Sequence, residues 1–298
     1  MYVIVGANGY LGAYMIKNIL SMTDEEILAV SHRKASFGMD DPRVRWTACD
    51  ITNAEQVCAL NERYLRPSAS NKVVYFAAYH NPDLVEKNPR VAWNINVTSL
   101  SNFLNTAENV KCLFYPSTDS VYGEGSREHA FRETDALNPA NRYGRQKCAA
   151  EALVTAYGYH VARFPFLIAP SLVPGKPHFY DRIVESITAG VPFDMFMDSY
   201  RSSLDFSTAS KLVLQMMEAE KPDLPAIVNV CGDEALSKYD VGLMIADHVG
   251  VSRDMIRPIS IRRDVEIFQA KRACSTVMDN SLLKQILGLR EIKLSLDG

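Results

Sequence analysis

Tyr2-Val-Ile-Val5-Gly6-Ala-Asn8-Gly9-Tyr10-Leu11-Gly12 is the stretch that decides the fold. A short apolar run ends in three glycines, and a helical pattern then begins at about Gly9 and runs to Met22. At a first strand–helix junction, Gly6 allows a tight turn and Gly9 lets backbone N–H groups approach a diphosphate. Gly12 lets helix and sheet pack closely. The N-terminus of the helix then favours an anion. The spacing is Gly-x-x-Gly-x-x-Gly, with two residues between the first pair of glycines where the common dinucleotide spacing has one. Turn punctuation is the plainer alternative, but the position at the first strand–helix junction favours a dinucleotide loop.

Further apolar runs follow at Ile27–Val30, Val44–Ala48, Val73–Ala77, Lys111–Tyr115 and Val161–Phe164, with a long helical stretch from Pro89 to Glu108. Continuous apolar strands alternating with helices predict a parallel sheet covered on both faces. The expected fold is therefore α/β, a Rossmann-type doubly wound sheet over residues 1–164. Residues 165–298 are expected to form a smaller, mixed region that binds substrate, with a segment of about 204–230 returning to the sheet. Residues 165–202 are rich in Pro, Gly and aromatic residues and read as irregular, with one helix near Asp181–Ala189. A helix over about Thr208–Glu218, a strand at Ala226–Val230 and a helix at Lys238–Val249 follow.

Composition limits the options. The chain has 298 residues, is 47% hydrophobic and 22% charged, and carries a formal net charge of -3. That balance implies no bulk attraction to nucleic acid or to an anionic membrane. Met1 runs straight into the first strand, which reads as leaving no room for a signal peptide. Six scattered cysteines without a Cys-x-x-Cys read as reduced, buried thiols of a cytoplasmic protein. The six histidines show no metal-ligand spacing, so no metal is expected.

At the end of the second strand, Ser31-His32-Arg33-Lys34 carries two cations and no carboxylate. A carboxylate there would bind the ribose 2′-hydroxyl of NAD, whereas cations favour a 2′-phosphate. NADP is therefore the expected cofactor, with NAD as the alternative and a solvated turn as the plainer reading of Arg33 and Lys34. Asp50 and Ile51, after the third strand, are expected to flank the adenine.

The fifth strand ends in Ser117-Thr118-Asp119-Ser120, where ligands of doubly wound sheets bind. A hydroxyl there can orient a carbonyl oxygen, although a turn or cap explains such residues just as simply. Tyr143 and Lys147 lie one helical turn apart on one face. An ammonium beside a phenol favours the phenolate, lowers its pKa and makes it a proton donor or acceptor near neutrality. A solvated helix face is the alternative. Thr118, Tyr143 and Lys147 follow the glycine loop in the order one catalytic site requires.

These motifs resemble the extended short-chain dehydrogenase/reductase superfamily. The nearest likeness is to the dTDP-4-dehydrorhamnose reductases and related sugar-nucleotide reductases. Gly6-x-x-Gly9-x-x-Gly12 resembles the superfamily's loop and Tyr143-x-x-x-Lys147 its catalytic pair. Ser117-Thr118-Asp119-Ser-Val121 and Tyr143-Gly-Arg-Gln-Lys147-x-x-x-Glu151 resemble subfamily signatures. So do Ala77-Ala78 with Asp83, Glu86, Pro89 and Asn96, and the tail from Ala270 through Arg272 to Asp279. The chain departs from the reductase pattern at Ala273, where a proline is usual, at Thr208-Ala-Ser210, where an Asp pair is usual, and at Tyr122, where phenylalanine is usual. The 4,6-dehydratases need a glutamate base after Thr118-Asp119, and Ser120 stands there instead. Galactose-type epimerases usually carry Ser-Ser or Ser-Ala before Val-Tyr-Gly.

The resemblance implies an NADP-dependent reduction of a nucleotide-linked 4-keto-deoxysugar. Tyr143 is then the proton donor, Lys147 binds the nicotinamide ribose and Thr118 positions the carbonyl. Gly6, Asn8, Gly9, Tyr10, Leu11, Gly12, Arg33, Asp50, Ile51, Ala77, Ala78, Asn96 and Phe164 are the expected cofactor contacts, with Tyr143 and Lys147. Thr118, Asp119, His80, Arg201 and Arg272 are the expected substrate contacts, the two arginines for a diphosphate, with a surface charge as the plainer reading of each arginine and a structural histidine as that of His80. Lys176 and His178 are further candidates for the pocket. An NAD-dependent epimerase and a non-catalytic, NADP-binding regulatory subunit stay open as alternatives, as does a homodimer.

Overall fold

The computed structural model describes residues 1–33, 41–68, 70–219, 224–263 and 268–296. Lys34, one of the two cations expected at the ribose end, lies outside the described residues. The first half consists of β1 (Tyr2–Val5), α1 (Tyr10–Met22), β2 (Ile27–Ser31), β3 (Val44–Ala48), α2 (Ala54–Leu60), β4 (Asn71–Tyr75), α3 (Pro82–Lys87), α4 (Pro89–Trp93), α5 (Ser99–Thr106), β5 (Val110–Thr118), α6 (Arg142–Ala156) and β6 (His160–Phe164). The second half adds α7 (Phe179–Thr188), β7 (Phe193–Phe196), β8 (Tyr200–Arg201), α8 (Phe206–Glu218), β9 (Ile227–Asn229), β10 (Leu236–Ser237), α9 (Lys238–His248), β11 (Ile256–Ile259) and α10 (Ser281–Leu287).

Seven strands form one sheet in the order β3-β2-β1-β4-β5-β6-β9, and every pairing in it is parallel. The order reverses between β1 and β4, which opens a crevice at the strands' C-terminal ends. The central strands are apolar because both sheet faces are covered. Ile4, Val74, Phe114 and Ala162 pack into one core against α1 and α8, and Val3, Val5, Val73 and Leu113 into the other against α2, α5 and α6. The Gly6 N–H donates to the Val30 carbonyl and the Phe76 N–H to the Val5 carbonyl, which carries the backbone pairing up to the crevice.

Several elements differ from the sequence expectation. β4 starts at Asn71 and ends at Tyr75, so Phe76 and Ala77 leave the sheet. β5 runs on to Thr118, which carries the Ser117–Thr118 pair to the rim as strand rather than loop. The stretch from Pro89 is helical but not uniform, with a wider turn at Asn94–Thr98 between α4 and α5. The segment read as irregular contains β7 and β8, which pair with β11 and β10. All six cysteines are free, but only Cys49 and Cys231 are buried; the other four are half-exposed. No helix among the described residues is long and apolar enough to cross a membrane.

Candidate active site

One large cleft of about 1300 Å³ opens at the C-terminal ends of β1, β4, β5 and β6. Its walls include Gly6, Asn8, Gly9, Tyr10, Leu11, Gly12, Arg33, Asp50, Ile51, Ala77, Ala78, His80, Thr118, Asp119, Tyr143, Lys147, Phe164, Lys176, His178, Arg201 and Arg272. Among the described residues, every one expected from the sequence to contact cofactor or substrate faces this space except Asn96.

The glycine loop is built for close approach. Gly6 has φ +89°, and a Cβ on it would lie 2.6 Å from the Ala77 nitrogen. That combination excludes any other residue. The Gly9 N–H is committed to the Gly6 carbonyl at 2.9 Å, so it is not the free donor expected from the spacing. Donors for an anion come from the next residues instead. α1 has Gly9 as its N-cap, no side chain capping it and no acidic residue in its first turn. Such a helix end offers unpaired N–H groups and a positive dipole to a phosphate. Gly12 packs on the loop's own carbonyls rather than on the sheet. The second half of the chain roofs this loop. Lys176 Nζ donates to the Asn8 carbonyl at 2.9 Å, and the Tyr10 hydroxyl donates to the Pro177 carbonyl at 3.1 Å.

At the ribose end, Arg33 is exposed and no side-chain carboxylate follows β2 before it. Asp50 accepts from the Thr52 N–H at 2.9 Å and the Thr52 hydroxyl at 2.7 Å, which hold its carboxyl below the usual range. Asn96 lies behind the wall. Its side chain accepts from the Tyr79 N–H at 2.7 Å and donates to the Tyr79 carbonyl and to Gln146. It fixes the segment after β4 rather than touching a ligand.

Tyr143 and Lys147 sit in the first two turns of α6, whose N-cap Asn141 accepts from the Gly144 N–H at 2.9 Å. Gly144 is what brings them close to Thr118: a Cβ there would meet the Ser120 carbonyl at 2.7 Å. The expected electrostatic coupling is different, however. Lys147 is 3% exposed, and its Nζ donates to the Tyr115 hydroxyl at 2.9 Å and the Pro116 carbonyl at 2.6 Å. Among the described residues it makes no hydrogen bond to Tyr143. Burial pushes its pKa down to about 7, against the opposing pull of Glu151. The Tyr143 phenol is pushed well above its ordinary value by burial and by the charge of Asp119. Lys147, hydrogen-bonded to Tyr115 and Pro116, does not offset these two causes, so Tyr143 is held as the protonated acid.

Thr118 caps the turn Asp119–Val121, accepting from the Ser120 N–H at 3.2 Å and donating to Asp119 Oδ1 at 3.0 Å. Donation to a carbonyl in the cleft requires the hydroxyl to turn away from Asp119. Asp119 is itself a hub: it bonds the Thr276 hydroxyl and receives Arg201 Nε at 3.1 Å.

Arg201 is thereby reassigned. Its Nη1 donates to the Tyr200 and Cys274 carbonyls at 2.6 and 3.1 Å, and its Nη2 to the Ala273 carbonyl at 2.9 Å. All three nitrogens are engaged by the chain, which leaves it no bidentate edge for a diphosphate. Arg272 pairs with Asp83 at 2.7 Å, and its Nη1 is buried without a hydrogen-bond partner. Asp83 also accepts from the Gln269 and Ala270 N–H groups, and Glu86 accepts from the Arg142 N–H, so both acids tie α3 to its neighbours. His178 caps α7 in a box with Asp181, and burial drops its imidazole to about 4, so it stays neutral. His80 is lowered too, by desolvation and then by Lys176 and Lys147.

Two residues escaped the sequence reading. Tyr115 accepts from Lys147, 32 positions downstream, which no local spacing reveals. Lys238, at the start of α9, reaches the same cleft. The Ser237–Asp240 capping box marks where α9 begins, but nothing local says where its first side chain points.

A family model described as the RmlD substrate binding domain matches residues 1–295. The chain belongs to that family. Among its relatives is methionine adenosyltransferase 2 subunit beta of Xenopus tropicalis, 28% identical over 95% of this chain and 81% of that protein. Among solved structures, a hypothetical dTDP-4-dehydrorhamnose reductase from Sulfolobus tokodaii superposes with a TM-score of 0.78. It is 20% identical and covers 99% of this chain and 98% of that one. The dTDP-4-dehydrorhamnose reductase of Bacillus anthracis, solved in complex with NADP, gives a TM-score of 0.75 at 19% identity, covering 95% of this chain and 92% of that chain. At such identities the likeness to the solved structures is one of fold.

Proposed function

We propose that the protein is an NADP-dependent reductase of a nucleotide-linked 4-keto-deoxysugar. The observation that carries this reading is the composition of one cleft. Among the described residues, its walls hold seven Lys or Arg against two Asp, in a chain whose net charge is -3. They also bring a protonated tyrosine and the Thr118 hydroxyl beside an uncapped helix end. A cleft of that charge concentrates anionic ligands.

The residues fit a dinucleotide. The Gly6 cradle, which any Cβ would fill, and the open end of α1 suit a diphosphate. Arg33, with no carboxylate beside it, favours a 2′-phosphate, and Phe164, Ala77 and Ala78 supply apolar wall. A bound nicotinamide supplies hydride chemistry; the chain's own residues supply the rest. Tyr143, kept protonated by burial and by Asp119, donates a proton to the developing alkoxide. Lys147 stands on the same face to hold ribose hydroxyls, and Thr118 orients the carbonyl oxygen.

The test follows nicotinamide absorbance with a panel of nucleotide 4-ketosugars. Oxidation of NADPH is expected, and Tyr143→Phe should lower kcat by about 10²–10⁴-fold while NADPH still binds. Unchanged turnover in that variant removes the assignment. Tightly co-purifying NAD without net redox change would indicate an epimerase.

A second reading is favoured by the relative at 28% identity, which is named as a subunit of methionine adenosyltransferase. On that reading the cleft binds NADP in a regulatory subunit and turns over no sugar. NADPH binding without oxidation across the whole panel supports it.

A further inference from the structure

At the catalytic end of the cleft one lysine is left without a polar partner from the chain. Arg201 is answered by Asp119 and Arg272 by Asp83, at 3.1 and 2.7 Å. Lys238 has no such partner: among the described residues its Nζ makes neither a hydrogen bond nor an ion pair. It is held between aromatic faces, 5.2 Å from the Phe166 ring centre and 6.0 Å from that of Phe196, and it lines the cleft.

This lysine is not a loose surface side chain. It is the first residue of α9, placed by the capping box of Ser237 and Asp240 and by its own N–H donating to the Ser199 carbonyl at 3.2 Å. Three things oppose its charge. Burial pushes its pKa down to about 8, Arg201 and Arg272 add to that, and Asp119 offsets it only partly. The N-terminus of a helix is also the wrong end for a cation. Lys238 is half-buried, and a half-buried charge without a counter-ion is still costly. The cation–π contacts with two phenylalanines recover part of that cost, since such contacts are strongest when desolvated. An anion entering the cleft would remove the remaining imbalance.

We propose that Lys238, rather than Arg201, is the seat for an oxyanion of the substrate. The inference rests on the reading of the cleft as a sugar-nucleotide site. It adds that the substrate must bring a negative group to the cleft wall where Lys238 stands with Arg201, Arg272 and Asp119. Two sources share that chemistry: the diphosphate linking nucleoside to sugar, and a carboxylate on the sugar ring. The carbonyl-bound guanidinium of Arg201 serves as scaffold behind the seat.

Binding alone tests this, so the outcome does not depend on turnover. The probes are dTDP, UDP-glucose and UDP-glucuronate, titrated into the NADPH-loaded protein between pH 6.5 and 9.5. The wild type should bind dTDP with an affinity that falls as pH rises through about 8, taking up protons on binding. Lys238→Met should weaken dTDP by about 10- to 100-fold, the scale of one lost charge-assisted hydrogen bond, and remove the fall centred near pH 8. Lys238→Arg should recover most of it. If the anion is a ring carboxylate, dTDP is unaffected, but the variant loses its preference for UDP-glucuronate over UDP-glucose. The affinity for NADPH reports that the variant is folded, and Lys238→Gln repeats the test where Lys238→Met fails that control.

A Lys238→Met protein that binds all three probes as the wild type does overturns the seat, whatever the fate of the reductase reading. A wild-type protein that binds none of them overturns it as well. Absence of NADPH oxidation with intact, Lys238-dependent binding removes the reductase and leaves the seat.

Discussion

The two walls of this cleft are built by different means. The wall from β1, α1 and β4 is backbone: glycines, helix N–H groups and the ends of strands. The wall from β8, α9 and the 270–276 segment is side chain, and most of its charges are answered by other residues before any ligand arrives. Arg201 is engaged by Asp119 and three carbonyls, and Arg272 by Asp83. A backbone wall recognises what all its ligands share, a diphosphate. A side-chain wall can select among ligands, because a few unanswered groups such as Lys238 decide what enters.

Four measurements strain that contrast, beginning with the largest effect. Glu151 and Arg163 are 3% and 1% exposed and paired at 2.6 Å behind both walls. Burial works against the guanidinium charge, and Glu151 outweighs it. Glu151→Gln strands that charge, so chemical denaturation should show a loss of about 3–5 kcal/mol. A loss below 1 kcal/mol would mean water reaches the pair. Gly6→Ala acts on the backbone wall. It adds about 1–3 kcal/mol of left-handed strain to a Cβ clash with Ala77, and NADPH affinity should collapse with the stability. An alanine variant that binds NADPH normally breaks the account of the loop.

The third measurement is a slope. The folded pKa of Lys147, about 7, lies below the ordinary 10.5. Between those values the unfolded chain binds more protons than the folded one, so stability rises with pH across that window. Lys147→Met should flatten the rise in melting temperature; an equal slope in the variant places its origin elsewhere. The mildest change is Arg201→Lys. It removes the guanidinium bonds to Ala273 and Cys274 and should cost about 1–2 kcal/mol, with NADPH affinity unchanged. A loss of NADPH binding would show that the two walls are not separable.

The same contrast explains what could be read from the sequence. The loop from Gly6 to Gly12 was legible because the glycine positions follow from backbone geometry, and β3 was read to its exact ends from its apolar run. Thr118, Tyr143 and Lys147 were read as one site from their order, and all three face the cleft. The partner of Lys147 was not legible, since Tyr115 is brought to it only by the packing of α6 on β5. β7, β8, β10 and β11 are two to four residues long, too short for any alternation to show. Arg201 and Arg272 were recognisable as cations near the site. Whether a guanidinium is free or engaged depends on carbonyls far along the chain, and only the fold supplies those.

The pairing of β9 with β6 has a consequence for synthesis. Val161, Ala162 and Arg163 find their outer neighbours only in Ile227, Val228 and Asn229. Until that last piece leaves the ribosome, the most apolar sheet in the protein ends in an open row of backbone donors and acceptors. Such an edge recruits other strands. A chain halted between β6 and β9 would hold the whole glycine loop and its helix, yet carry a surface prone to pairing with its own copies. Arg163 lies on that same strand, so a nascent chain carries the Arg163–Glu151 ion pair next to its open edge until β9 arrives.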